Sequence, residues 1–183
     1  IVVAAIIAIS YYFIKKDSRK YEIAEIKNYQ YFTLKKNETF GVIDKEQNII
    51  INPSYTEVII PNPEKPIFVC YQGEDSTILN EQKQEIFTEY EKVEPIRLKN
   101  IASDLMYEKT VLKYTENGKY GLIDYTGKKI TKAIYEELDS LPYKEGELLV
   151  KQDGKYGVIN IRGNKLVDIA YDQISVDGYY TDE

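Results

Sequence analysis

Acidic and amide side chains recur at one position of this chain. Asp44, Asn80, Asp124 and Asn160 each follow a pair of aliphatic residues. A row of carboxylates so placed could bind a cation. The alternative is local: Asp and Asn side chains bond backbone N–H groups of the turn that follows them. Two of the four are amides, which favours the turn. Glu136, Glu137 and Asp139 form a second acidic group. It could act as a weak calcium site or as a carboxylate pair for glycoside hydrolysis, but a run of this kind is more often a solvated face. There is no His, which excludes imidazole acid–base work and His-ligated metal. The single cysteine, Cys70, forms no intrachain disulfide. It sits in the run Ile67-Phe68-Val69-Cys70-Tyr71 with no basic neighbour, as a buried strand thiol would. No phosphate-cradling glycine loop, nucleophile elbow or zinc-ligand spacing appears. The expectation is no catalytic residue, no metal site and no cofactor.

These residues are positioned by internal repeats. Tyr120-Gly121-Leu122-Ile123-Asp124 returns thirty-six residues later as Tyr156-Gly157-Val158-Ile159-Asn160. Upstream lies Phe40-Gly41-Val42-Ile43-Asp44, and a degenerate copy, Ser76-Thr77-Ile78-Leu79-Asn80, stands between. Each copy runs on to a tyrosine (Tyr55, Tyr90, Tyr135, Tyr171) and, three residues beyond, to an aliphatic (Val58, Val93, Leu138, Ile174). Each is preceded by an apolar-rich run centred on Thr33, Val69, Lys113 or Leu149. The second and third copies are forty-four residues apart, so an insertion is expected between Val93 and Val111, with Pro95 to Lys109 as a long loop.

One copy reads as three short strands. Val111 to Tyr114 precedes the hairpin signal Asn117-Gly118, Tyr120 to Asp124 follows, and Thr126-Gly127 turns the chain into Lys129-Ile130-Thr131. Alternation puts Tyr120 and Leu122 on one face and Gly121 and Ile123 on the other. Gly121 either lets a ring or backbone pack close or marks a bulge. A unit of this size cannot bury enough apolar surface alone, so neighbours must stack.

The pattern resembles the WG repeat family of bacterial proteins over about residues 29 to 176, most closely in Lys119-Tyr120-Gly121-Leu122-Ile123-Asp124-Tyr125-Thr126-Gly127-Lys128-Lys129. Tyr or Phe stands here where the family signature has Trp, and the second copy lacks both aromatic and Gly. The resemblance implies β-hairpin repeats and an interaction role, and it implies no catalytic residue. The expected fold is all-β: tandem antiparallel meanders in an elongated, solenoid-like array, with a four-bladed propeller as the runner-up. Repeats fall at about 29–64, 65–108, 109–144 and 145–183 of a 21–183 domain.

Ile1 to Ile14 is almost wholly apolar, and Lys15, Lys16, Arg19 and Lys20 follow. Fourteen residues fall short of the roughly twenty that span a bilayer, and the chain starts at Ile, so residues 1–20 are expected to be a truncated helical anchor with a basic flank. A cleaved signal core is the alternative. The basic flank favours a cytoplasmic end; single N-terminal anchors usually display their domain outside, and an extracytoplasmic domain on the cell membrane is the expectation adopted. Tyr21 to Lys27 reads as a helical stub or a lead-in strand.

Function then turns on the tyrosines, which number 18 against 5 Phe. Tyr55, Tyr90, Tyr120, Tyr135, Tyr156 and Tyr171 are the candidate binding residues. They are either repeat-to-repeat core or a ladder of rings for sugars or a peptide. The expected partner is an envelope protein or peptide, with cell-wall polysaccharide as the alternative and a hydrolase using Asp and Glu alone as a third reading. A net charge of −6 argues against nucleic acid.

Overall fold

The computed structural model describes residues 28–99 and 106–176. All regular structure in it is β, in thirteen strands and four antiparallel sheets. The first sheet is β1 (Tyr31–Lys36), β2 (Thr39–Asp44) and β3 (Ile49–Tyr55). The second is β4 (Glu57–Ile59), β5 (Ile67–Gln72) and β6 (Asp75–Asn80). The third is β7 (Lys92–Arg97), β8 (Tyr107–Glu116) and β9 (Lys119–Asp124). The fourth is β10 (Glu137–Ser140), β11 (Glu147–Gln152), β12 (Lys155–Asn160) and β13 (Lys165–Tyr171).

Each sheet is built on the hairpin foreseen from the sequence. In the third, Lys113 pairs with Leu122 and Tyr114 with Gly121 across a turn at Asn117 and Gly118, both at positive φ. The strand after the second turn is complete in the first and fourth sheets. Elsewhere it is reduced to isolated bridges, Leu79 to Glu85 and Tyr120 to Tyr135. The residues after the repeat tyrosine then start the next sheet, so Val58 pairs with Cys70 and Leu138 with Val150. Sequence repeat and sheet are therefore out of phase by one strand.

Alternation explains how the sheets hold together. Phe68 and Cys70 point back to a core shared with Val42 and Ile51 of the first sheet. Ile67 and Val69 point forward to Leu112, Tyr114 and Ile123 of the third. Leu122 and Val111 point forward again, to Leu148, Val150 and Ile159 of the fourth. Both faces of each inner sheet are thus apolar, and each such aliphatic adds about 1.5–3 kcal/mol on full burial. Cores join first to second, second to third and third to fourth sheet. Among the described residues none joins the first to the fourth, as closure into a propeller would require.

The expected loop from Pro95 to Lys109 is shorter than the insertion suggests. Pro95 and Arg97 belong to β7, paired with Leu112 and Tyr107, and β8 already begins at Tyr107. Added residues lengthen two strands before they form a loop. Pro95 is tolerated because β7 is an edge strand, where a missing donor costs little. The apolar helix foreseen in residues 1–20 and the lead-in Tyr21–Lys27 lie outside the described residues. No helix among the described residues is long and apolar enough to cross a membrane.

Candidate functional site

The recurring acid/amide position belongs to a turn. Asp44 Oδ1 accepts from Asn48 N at 2.7 Å and Asn80 Oδ1 from Gln84 N at 2.9 Å. Asp124 Oδ1 accepts from Thr126 N at 2.8 Å and Lys128 N at 3.1 Å, and Asn160 Oδ1 from Arg162 N at 3.0 Å and Asn164 N at 2.9 Å. The backbone carbonyls of these four residues accept from the N–H groups of Gln47, Lys83, Gly127 and Gly163, all at positive φ. Carboxylate and amide do one job, satisfying backbone donors of the turn. The Asn48 side chain and N–H hold the Asp44 carboxyl below its ordinary range.

The second acidic group is divided among neighbours. Glu136 accepts from Gly154 N, which with Lys119 holds its carboxyl below the usual range. Glu137 pairs with Lys151 at 2.9 Å and accepts from the Tyr156 hydroxyl at 3.1 Å. Asp139 pairs with Lys99 at 3.0 Å. No group of three acids, Cys or His among the described residues could hold a metal ion.

The six candidate tyrosines separate by burial. Tyr135 and Tyr156 are buried, and Tyr55, Tyr90 and Tyr120 are half-buried against the cores between sheets. The Tyr90 ring lies 4.7 Å from that of Tyr114, and its hydroxyl donates to Gly127 O at 2.6 Å. Tyr171 is the exposed one of the six, at 51%. They do not come together on one face.

The sequence reading missed what covers the repeat aromatics. Lys35 and Lys151 stand directly across from Phe40 and Tyr156 in the hairpin, and Lys113 reaches Tyr120 diagonally from its place opposite Leu122; each ammonium is about 5 Å from the ring centre. The signal was available in two of the three: Lys35 and Lys151 precede their rings by five residues, whereas Lys113 precedes Tyr120 by seven.

Part of the exposed apolar surface lies at the ends of the stack. In the last strand Val167 is 37% exposed, whereas Ile51, at the same repeat position, is 4% exposed. Tyr171 contrasts in the same way with Tyr135 at 5%, and Leu166 is exposed beside them. At the other end Phe32 is 43% exposed, while its counterparts Phe68, Leu112 and Leu148 are fully buried against a preceding sheet.

No curated protein and no solved structure matches the chain. Residues 40–61 and 120–156 match a family model described as WG containing repeat. Both stretches open on the aromatic-Gly strand and include the capped turn described above. Phe40, Tyr120 and Tyr156 stand there at the aromatic position; Phe40 and Tyr120 pack against the cores between sheets, Tyr156 is buried in the fourth sheet, and each ring lies beneath a lysine. Over those two stretches the chain is similar to the WG containing repeat family.

Proposed function

We propose that this repeat module is non-catalytic and holds a partner protein or peptide at the bacterial cell envelope, carried by residues 1–20 as a membrane anchor. The observation behind the reading is the apolar end of the fourth sheet. Leu166, Val167 and Tyr171 are exposed at repeat positions that elsewhere serve packing. Such a patch suits an apolar partner surface. The carboxylates foreseen for hydrolysis are engaged by lysines and backbone N–H groups, which supports a role without chemistry. The sugar reading needs a row of solvent-facing rings, and the exposure of Tyr171 alone among the six favours a protein partner.

The test is capture from solubilised envelopes and, separately, from purified cell wall, using the full chain in detergent. Val167→Ser with Tyr171→Ala is expected to abolish one defined protein band and leave wall retention, if any, unchanged. Wall retention that disappears in this variant, with no protein band lost, would replace the proposal by the carbohydrate reading. Flotation with lipid vesicles tests the anchor: the full chain should float, and a chain lacking residues 1–14 should not.

A further inference from the structure

The junctions between consecutive sheets share a clasp. The residue after each repeat tyrosine reaches the hairpin turn of the next sheet. Thr56 Oγ1 accepts from Gly73 N at 3.1 Å, Glu91 Oε1 from Asn117 N at 2.7 Å, and Glu136 Oε2 from Gly154 N at 3.1 Å. Thr56 N and Glu136 N also donate to the strands before those turns, at Tyr71 O and Lys151 O. Glu136 ties two sheets, because its Oε1 pairs with Lys119 of the preceding one. Asp172, which follows Tyr171, makes half of this arrangement. Its Oδ1 pairs with Lys155 of the fourth sheet, and its Oδ2 has no partner among the described residues.

The first sheet presents the matching half. Phe32, Leu34 and Ile43 stand at the repeat positions of Leu112, Tyr114 and Ile123 and of Leu148, Val150 and Ile159, all buried against a preceding sheet. Here Phe32 is exposed, and Leu34 and Ile43 are half-buried. The β1–β2 register, closed by Lys36 opposite Thr39, turns the backbone of Thr33 and Lys35 away from β2. Neither that backbone nor the Asn37 and Glu38 amides of the turn has a hydrogen-bond partner among the described residues.

We propose that the partner held by the fourth sheet is a second copy of this chain, stacked head to tail so that Leu166, Val167 and Tyr171 cover Phe32, Leu34 and Ile43 of the next copy. The identity of the partner rests on the reading of that end face as a binding surface. What selects a second copy is continuity. The two end faces are the two sides of a junction that the chain already makes between its own sheets. In that register Gln173 to Ser175 add to the open edge of β1, antiparallel to Thr33 to Lys35, as Glu57 to Ile59 pair with Val69 to Tyr71. Ile174 comes opposite Leu34, as Val58 stands opposite Cys70, Val93 opposite Tyr114 and Leu138 opposite Val150. Asp172 Oδ2 then caps the Asn37–Glu38 turn. Tyr31 N keeps its bond to Pro63 O, since the added strand stops at Thr33. Such a contact joins unlike faces, so it builds rows or rings rather than a two-fold dimer.

The test uses the full chain in detergent micelles. Leu34→Cys and Ile174→Cys are made in separate chains, each in a Cys70→Ala background, and mixed under mild oxidation. A mixed disulfide dimer should form, because a non-hydrogen-bonded antiparallel pair brings its Cα atoms within disulfide range. Neither variant should dimerise by itself. Sedimentation gives a second readout that needs no added cysteine. The mass of the unsubstituted chain should rise with concentration, and Phe32→Ser should return it to a single chain, with Cys70 still shielded from a thiol reagent as a check on the fold. Dimers of Ile174→Cys with itself would mean that two fourth sheets meet, and would overturn the proposal. A mass rise that Phe32→Ser leaves intact would place the contact elsewhere and overturn it too. So would a single-chain mass at every concentration. If an envelope protein were still captured through Val167 and Tyr171 in that last case, the binding face would stand and only its partner would change.

Discussion

Gly121 and Tyr114 are cross-strand partners, and the tyrosine ring closes over the glycine. A Cβ on Gly121 would come within 2.5 Å of Tyr114 Cε1 and 2.9 Å of Lys132 O. The ring is fixed in turn, since its hydroxyl donates to Thr131 O at 3.0 Å and its face meets Tyr90. Gly121→Ala should therefore cost about 1–3 kcal/mol, the usual penalty for overpacking, read as a lowered thermal midpoint. A double-mutant cycle with Tyr114→Leu should show coupling, because part of the clash leaves with the ring. Gly41→Ala should gain no comparable relief from any single side-chain change: its nearest neighbours are backbone atoms, Ile51 O at 2.3 Å first. Additive behaviour at Gly121 and Tyr114 would count against the close approach.

The turn acids predict a pH dependence. The Asp44 carboxyl lies below its ordinary value of 3.8, chiefly through the Asn48 side chain. At Asp124 desolvation opposes the shift, but bonds from Thr126 and Lys128 outweigh it and the carboxyl is again lowered. A group depressed on folding contributes stability above its unfolded value, and that contribution is lost as pH falls through the folded value. Stability should therefore decline below about pH 5 as these acids begin to protonate. Asp44→Asn and Asp124→Asn copy what Asn80 and Asn160 already do, so they should keep the turn and flatten the acid limb. Urea midpoints measured between pH 3 and 6 decide this; an unchanged slope in the double variant would remove the turn acids from the explanation.

Much of this architecture was legible because it recurs. The alternation of Tyr120, Leu122 and Ile123 assigned faces correctly, and Asn117-Gly118 placed the hairpin. Gly121 was read as either a close approach or a bulge. The structure shows the close approach at Gly121 itself, and at Gly41 and Gly157 both, each opposite a register shift in the following strand. The out-of-phase sheet was not legible, because pairing Val58 with Cys70 is a tertiary choice that the sequence period does not carry. Nor was the division of the tyrosines. Tyr135 and Tyr171 occupy one repeat position, and only the presence of a following sheet buries the first.

Cys70 supplies a clean probe of that core. It is 1% exposed, and desolvation pushes its thiol up to about 12. Neither thiolate nor access is present near neutral pH, so a thiol reagent should leave the folded chain unlabelled and react with one equivalent after denaturation. Labelling under native conditions at a rate set by reagent concentration would mean that the core between the first two sheets is open. The same experiment at graded urea reports the local stability of that core.

Glu108 is the least expected residue of the third sheet, lying within the segment the sequence assigned to a loop. It is buried, and Oε1 accepts from Thr110 N at 3.1 Å and Thr110 Oγ1 at 2.7 Å. Among the described residues Oε2 is buried without a hydrogen-bond partner. A buried carboxylate oxygen so placed costs more than an amide in the same position, since an ionised group loses more hydration. Glu108→Gln keeps the acceptor for Thr110 and removes the charge. It should raise the thermal midpoint by about 2–4 °C for each kcal/mol recovered. Thr110→Val makes the complementary test: it takes the hydroxyl donor from Oε1 and should lower the midpoint more in the Glu108 chain than in Glu108→Gln. A fall in the midpoint on Glu108→Gln would show instead that the charge at this site is compensated.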